Sequence, residues 1–391
     1  MTSLPSSVLE RVHRDLVASF ESFIRRELVP LAAEVPEPVD GPPRELRDYV
    51  RKRSAALGFY GAEYPERMGG AGMPLTALVQ LHHAAGASGC ALAPYALAGP
   101  DGPSWMLTHG TPEQIETYLV PMVRGEKLRC LAMTEPGSGS DAFTITTKAE
   151  RDGDGWLLSG RKTFVSNAGH ADYAIVIADV AESEHDAGGA TAFIMPLDHP
   201  GLRRGQRYFG MAGEPLFELV LDQVRLPMST LIGGEDGIGA SVEFAMDSLA
   251  YGRLLVAAQC NGIAEYALRA GVEFAQQREA FGQVIGSYQH VQEHLVTGRA
   301  GVETAKLLTL ACAELVEAGE DSGGENAALA KLVASQTAVD VVDRSLQVHG
   351  ATGYVRGHPL EYLYRHVRMM TIIEGTSEVQ KVIVARSMGL G

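Results

Sequence analysis

A glutamate stands between two isoleucines and a glycine in I-I-E-G-T-S-E-V-Q, residues 372 to 380. It has two readings: a loop carboxylate ahead of a helix, or a base set in an apolar pocket. An unperturbed Glu titrates near about 4.3, too low for a base that must take a weakly acidic proton. Apolar neighbours such as Ile372 and Ile373 would raise it by desolvation. Gly375 would leave the loop free to aim the carboxylate. Ser377 and Gln380 have the spacing of a capping box, so a helix is expected to start there with Glu374 outside it.

Four other stretches group residue types that could serve a ligand. L-A-M-T-E-P-G-S-G-S-D-A (131–142) crowds small residues and hydroxyls, so backbone N–H groups and side-chain oxygens can approach a planar polar group. Its plainer reading is a glycine-rich connection. In K-T-F-V-S-N-A-G (162–169), Phe164 and Ser166 lie two apart and on a strand would face the same side. That pairing suits a ring with an apolar end and a polar edge; alternatively Phe164 is ordinary core. In R-E-A-F-G-Q-V-I-G-S-Y-Q (278–289), Arg278 suits a bidentate phosphate contact or is a solvated arginine at a helix end. Q-V-H-G-A-T-G-Y (347–354) is a glycine-bearing turn, with His349-Gly350 marking a helix end.

The elements that must position these stretches fall into three textures. Residues 1–128 read as helical, with Phe20, Phe23, Ile24, Leu28 and Leu31 at helical spacing. Helix starts are expected at Ser7-Val8-Leu9-Glu10, a capping box, and at Thr111-Pro112-Glu113. Residues 129–236 read as β structure, with runs at 144–150, 155–160, 173–179, 190–196 and 217–224, and a hairpin signal at Asp154-Gly155. Strands so spaced, without intervening helices, suggest a small antiparallel barrel or sandwich. Residues 237–391 read as long helices in a four-helix bundle. One stripe is Val291, Leu295, Val302 and Leu310; another is Leu332, Val339, Val342 and Leu346. Such bundles often bury apolar faces against copies of themselves, so a homo-oligomer is expected.

Composition bounds the class. The chain has 391 residues, 46% hydrophobic, which suits two or three folded domains. A formal net charge of −15 argues against nucleic acid as a partner. No apolar run approaches the length of a membrane span and no secretory signal is apparent, so a cytoplasmic protein is expected. The four cysteines (90, 130, 260 and 312) have no metal or redox spacing, which suits free thiols in a reducing compartment.

Taken together and in order, these stretches resemble the acyl-CoA dehydrogenase family over almost the whole chain. Y-P-E-R-M-G-G-A-G (64–72) and G-T-P-E-Q-I-E-T-Y-L-V-P (110–121) add to the match. The resemblance implies an N-terminal helical domain, a middle β domain and a C-terminal four-helix bundle. It also implies FAD, usually in a tetramer, with a dimer as the alternative. On it, Met133, Thr134 and Ser140 line the flavin, with Ser140 also near the acyl-CoA. Phe164 and Ser166 match positions flanking the isoalloxazine, where the family often has Trp and Thr. Arg278, Phe281 and Gln289 match residues that reach the FAD of a neighbouring subunit. Gln347 and Gly350 match a further dinucleotide contact, and Thr376 and Glu378 the last. Tyr251, Gly252, Arg253 and Arg386 fall where the family contacts its thioester.

Glu374 matches the usual base. Some relatives carry the base at the position of Gly252, which here has no side chain. The implied reaction is α,β-dehydrogenation of an acyl-CoA to a trans-2-enoyl-CoA, as in fatty acid metabolism, with an electron-transfer flavoprotein as acceptor. In the family, a flavin hydroxyl and the base's own N–H steady the thioester carbonyl. The alternatives are an acyl-CoA oxidase, a dehydrogenase of carrier-protein thioesters and a non-catalytic FAD-binding member. No metal is implied.

Overall fold

The computed structural model describes residues 13–34, 42–99, 102–142, 144–183, 188–321 and 324–390. The capping box expected at Ser7–Glu10 lies outside them. The chain divides into two compact units. One gathers Met1–Pro38, Met73–Tyr95 and Ala250–Gly391; the other gathers Val39–Gly72 and Ala96–Leu249.

The first unit is helical. Its longer helices are α1 (Arg14–Phe23), α2 (Leu75–Ala87), most of α3 (Ser241–Gln277), α4 (Gln289–Glu317), α5 (Glu325–His349), α6 (Pro359–Met370) and α7 (Ser377–Ser387). Helix α1 runs on through a wide turn at Ile24–Leu28, and Phe20, Phe23, Ile24 and Leu28 are buried as their spacing predicts. Helix α5 packs against α4, α6 and α7.

The buried lines on α4 and α5 differ from the expected stripes. On α5, Leu332, Val339 and Leu346 are only half-buried, while Ala327, Lys331, Ala334, Ala338, Val341 and Ser345 are buried. On α4, Val302 and Leu310 are buried as expected, but the line runs through Gly298, Val302, Ala305, Thr309 and Cys312. Both lines alternate steps of four and three, which keeps one seam facing a partner helix. Their small residues let neighbouring backbones approach, and a search for large apolar residues overlooks them. Helices α2 and α3 also cross closely. A Cβ at Gly262 would stand 2.1 Å from the His83 carbonyl oxygen, and one at Gly86 2.7 Å from that of Gln259. Polar ties finish the joint. Glu317 accepts from the Thr76 N–H at 3.0 Å and its hydroxyl at 2.9 Å, and His83 Nε2 meets Glu265 Oε2 at 2.9 Å.

The second unit is built on one seven-stranded sheet. Its strands are β1 (Arg129–Ala132), β2 (Lys148–Asp152), β3 (Gly155–Ser166), β4 (Tyr173–Val180), β5 (Gly189–Pro196), β6 (Leu202–Phe209) and β7 (Pro215–Pro227). The pairs β2–β3, β3–β7, β4–β5 and β6–β7 are antiparallel, whereas β4 pairs in parallel with β1 and β2. Strand β4 is buried on both faces. Ala174 and Val176 join a core with Trp156 and Phe193; Ile175 and Ile177 join another with Tyr64 and Leu107. The hairpin between β2 and β3 turns on Gly153-Asp154, one residue earlier than its sequence signal, because Gly153 takes the required positive φ of 62°. Thr111 caps the short helix that follows it and forms a capping box with Gln114.

Candidate active site

Glu374 lies on the short loop between α6 and α7. Its φ is 53°, and Gly375 follows at 87°. Left-handed backbone is unusual for a glutamate, so the surrounding structure must over-determine it. Three side chains do so. Gln380 Nε2 donates to the carbonyl oxygens of Glu374 and Gly375, each at 2.8 Å. Lys331 Nζ donates to the Gly375 carbonyl, also at 2.8 Å. The Thr376 hydroxyl caps α7 by accepting from the Val379 N–H at 3.3 Å. The capping residue is therefore Thr376, one position before the expected Ser377, and Gln380 holds the Glu374 loop instead of closing a capping box.

The carboxylate faces α3. A Cβ built on Gly252 would meet Glu374 Oε2 at 2.9 Å. Positions 252 and 374 thus converge on one point in space. Next along α3, Arg253 is 6% exposed. Burial lowers its guanidinium pKa, and the charges of Glu374 and Asp321 counter that. The expected apolar wall is only partial. Ile373 is half-buried, but Ile372 is 53% exposed. Tyr251 is half-buried, and Arg386 is exposed on α7. Glu378 is exposed too, and hydrogen bonds from its own N–H and the Thr376 hydroxyl hold its carboxyl below the ordinary range.

Lys331 reaches this loop from inside α5 and is fully buried. Burial pushes its ammonium down to about 8, against the pull of Cys260 and Glu374. Burial likewise pushes the Cys260 thiol up to about 12. The four cysteines are buried free thiols.

A second cluster stands at the other end of α3. Arg278, Gln289, Gln347 and Gly350 are exposed, and Phe281 is 97% exposed at φ 52°. Phe274 stacks on His349 with ring centroids 4.3 Å apart, which joins the ends of α3 and α5. Gly252 and Gln277 are 25 residues apart on α3, about 38 Å at the helical rise of about 1.5 Å. This cluster and the Glu374 loop therefore do not share one site within the unit.

In the second unit, the loop after β1 carries Met133 and Thr134, both half-buried, and the exposed Ser140. The Thr163 N–H donates to the Thr134 carbonyl at 2.9 Å, which ties this loop to β3. Phe164 and Ser166 do not share a simple strand face. The register shifts between Lys162 and Val165, and Phe164 takes φ 54°. That bulge turns the Phe164 ring outward, 55% exposed and 5.1 Å from the Tyr208 ring, so it is not core.

Beneath the loop lies an ion pair that the motifs did not single out. Lys162 Nζ donates to Glu135 Oε1 at 2.7 Å and to the Met133 carbonyl at 3.1 Å. The two side chains are 0% and 2% exposed. Glu135 Oε1 also accepts from the Thr147 N–H at 2.9 Å and hydroxyl at 2.6 Å; Oε2 accepts from the Thr146 N–H at 2.8 Å and from its hydroxyl. Burial raises the Glu135 pKa, but these hydrogen bonds outweigh it and bring the group to about 2.

Comparison with known proteins decides what this arrangement belongs to. Three family models match in order: acyl-CoA dehydrogenase N-terminal domain over residues 10–126, middle domain over 130–224 and C-terminal domain over 241–389. A 3-(aryl)acrylate reductase from Clostridium sporogenes is 36% identical over 373 residues, 94% of this chain and 95% of that protein. The short-chain specific acyl-CoA dehydrogenase of Bos taurus mitochondria is 34% identical, covering 98% and 92%. A caffeyl-CoA reductase–Etf complex subunit from Acetobacterium woodii is 33% identical, covering 88% and 89%. The butyryl-CoA dehydrogenase structure from Megasphaera elsdenii superposes with a TM-score of 0.81 at 29% identity, covering 99% and 100%. The chain belongs to the acyl-CoA dehydrogenase family.

It is thus an oxidoreductase and a flavoprotein with FAD as its cofactor. The residues present fit that cofactor. The outward Phe164 ring offers an apolar surface to a flat ring system. Nothing stands within 4 Å of a Cβ built at Gly137 or Gly139, so the loop's backbone is open to a close approach. Among the described residues, no helix is long and apolar enough to cross a membrane, and no group of three or more His, Cys, Asp or Glu is placed to hold a metal ion.

Proposed function

We propose that this family member dehydrogenates an acyl-CoA between its α and β carbons, with Glu374 as the base. The observation that carries the reading is the Glu374 carboxylate set against Gly252, on a loop held in a left-handed turn. Gly252 leaves room for the carboxylate, and a side chain there would displace it. Glu374 takes the α proton, and its own N–H donates to the thioester carbonyl as negative charge develops there. Bound FAD supplies the two-electron acceptor that receives the β hydrogen as hydride. Met133, Thr134, Ser140, Phe164 and Ser166 hold the flavin. Tyr251, Gly252, Arg253 and Arg386 contact the thioester.

Arg278, Phe281 and Gln289 serve the dinucleotide of a second copy, Gln347 and Gly350 make a further dinucleotide contact, and Thr376 and Glu378, beside Glu374, make the last. The separation of Arg278, Phe281 and Gln289 from Glu374 by nearly the length of α3 supports a homo-oligomer, a tetramer by family. The Etf-complex relative supports an electron-transfer flavoprotein as acceptor. Buried free thiols suit a cytoplasmic, reducing setting.

A second reading runs the same atoms backwards, and the reductase relatives favour it. There Glu374 gives its proton to the α carbon of an unsaturated substrate while the β carbon receives hydride. Anaerobic mixing separates the two. A saturated acyl-CoA that bleaches the oxidised flavin supports dehydrogenation. An enzyme that no saturated thioester reduces, but whose reduced flavin an unsaturated one reoxidises, supports reduction. Oxygen consumption with peroxide release would indicate an oxidase.

A further inference from the structure

The loop that aims Glu374 has little of its own to hold it. It is short, it lies between two helices, and two successive residues have positive φ. Its two carbonyl oxygens point inward and meet donors that serve no other acceptor there. Gln380 is 0% exposed, and both its short contacts go to this loop. Its Oε1 is buried without a hydrogen-bond partner. Turning the amide over would put that oxygen against two carbonyls, so the loop dictates the orientation. An orphaned buried acceptor costs stability and asks for an explanation. Lys331 is a lysine on a helix face otherwise lined by small and apolar residues. Its ammonium reaches the Gly375 carbonyl, and no carboxylate among the described residues pairs with it. The charged or titratable groups around it are Cys260 and Arg253 on α3, Glu374 on the loop and Glu378 on α7.

We propose that Lys331 and Gln380 are positioning residues that clamp the Glu374–Gly375 carbonyls and thereby aim the base carboxylate at its substrate. The inference rests on the reading of Glu374 as the base. Gly375 belongs to the same device. A Cβ there would meet Gln380 Nε2 at 2.7 Å, so the clamp closes only over a glycine. Removing Gln380 frees the Glu374 carbonyl, and removing Lys331 leaves the Gly375 carbonyl on the Gln380 amide alone; in either case the loop can turn and the carboxylate swings with it. A small misplacement of a catalytic group costs about 10- to 100-fold in rate.

The test compares Lys331→Met, Gln380→Leu, Gln380→Glu and Glu374→Gln holoenzymes in anaerobic bleaching by a saturated acyl-CoA. The first two are expected to lose about 10- to 100-fold in kcat, with KM within about three-fold and an unchanged flavin spectrum. Gln380→Glu sharpens the result. Ionised, it sets an acceptor against two carbonyls; protonated, it can donate to one of them. Its rate should recover as pH falls, and that of Gln380→Leu should not. Rates within two-fold of the parent overturn the clamp while Glu374→Gln stays inactive. Loss of FAD, or an effect confined to KM, also overturns it. A Glu374→Gln enzyme that bleaches at the native rate removes the base reading itself, which distinguishes the two failures.

Discussion

Two irregular loops carry the proposed chemistry, and a lysine hidden from solvent holds each from behind. Lys162 bonds the Met133 carbonyl of the loop after β1, and Lys331 bonds the Gly375 carbonyl of the Glu374 loop. The likeness ends there. Lys162 is paired with Glu135 at 2.7 Å, and Glu135 is further bonded by Thr146 and Thr147. That network is closed and well satisfied, which makes a rigid platform. Lys331 has no carboxylate partner among the described residues, and burial pushes its pKa to about 8. Its loop also holds a glutamate at φ 53° and leaves Gln380 Oε1 without a partner. The loop after β1 is built for stability, and the Glu374 loop gives up stability, in exchange, on the proposed reading, for aim.

The largest expected contrast comes from removing each lysine. Lys162→Met strands a buried carboxylate and should destabilise the fold by about 3–5 kcal/mol. Lys331→Met removes a buried charge with no carboxylate partner, so its unfolding free energy should be unchanged or higher. Urea unfolding of the two variants checks this, and equal losses would break the comparison.

Gly252→Ala should give the next effect. Its Cβ would press on Glu374 Oε2, the far end of a flexible side chain, so the fold should tolerate it. Turnover should fall by about ten-fold, or about 1.4 kcal/mol in the barrier. An unchanged turnover number would mean that the carboxylate does not work from this position.

The smallest effects are in pH. Glu135 has a folded pKa near 2 against about 4.3 unfolded, so the unfolded chain binds more protons between those values. Its stabilisation is full above about 4.3 and is lost as pH falls towards 2. Lys331 is also depressed, to about 8 against about 10.4 unfolded. The unfolded chain again binds more protons in that window, so this group makes stability rise with pH from about 8 to 10.4. Melting temperature against pH should show an alkaline contribution that Lys331→Met diminishes; burial lowers the Lys162 pKa as well, so that group adds in the same direction.

The layout was legible in the sequence because long helical stretches and short β-type runs separated by Gly and Asp announce themselves. Strand β6 was not, since L-R-R-G-Q-R-Y-F is largely exposed at the sheet edge and lacks an apolar face. The two lysines were missed because a lysine reads as solvent-facing by default. The available signal was position: Lys331 falls four residues after Ala327 and three before Ala334, inside a buried line. The outward turn of Phe164 depends on a bulge that residue types do not announce. The meeting of Gly252 with Glu374 is a property of the folded bundle, which the family resemblance anticipated and spacing along the chain could not.

The central claim is that Glu374 is the base, and anaerobic bleaching of the Glu374→Gln enzyme tests it most directly. The purified variant should be yellow with bound FAD. A panel of acyl-CoAs from short to long and branched should bleach the parent with at least one member. With that member the variant should bleach at least about 100-fold more slowly. Bleaching at the native rate, with FAD equally bound, would contradict the account.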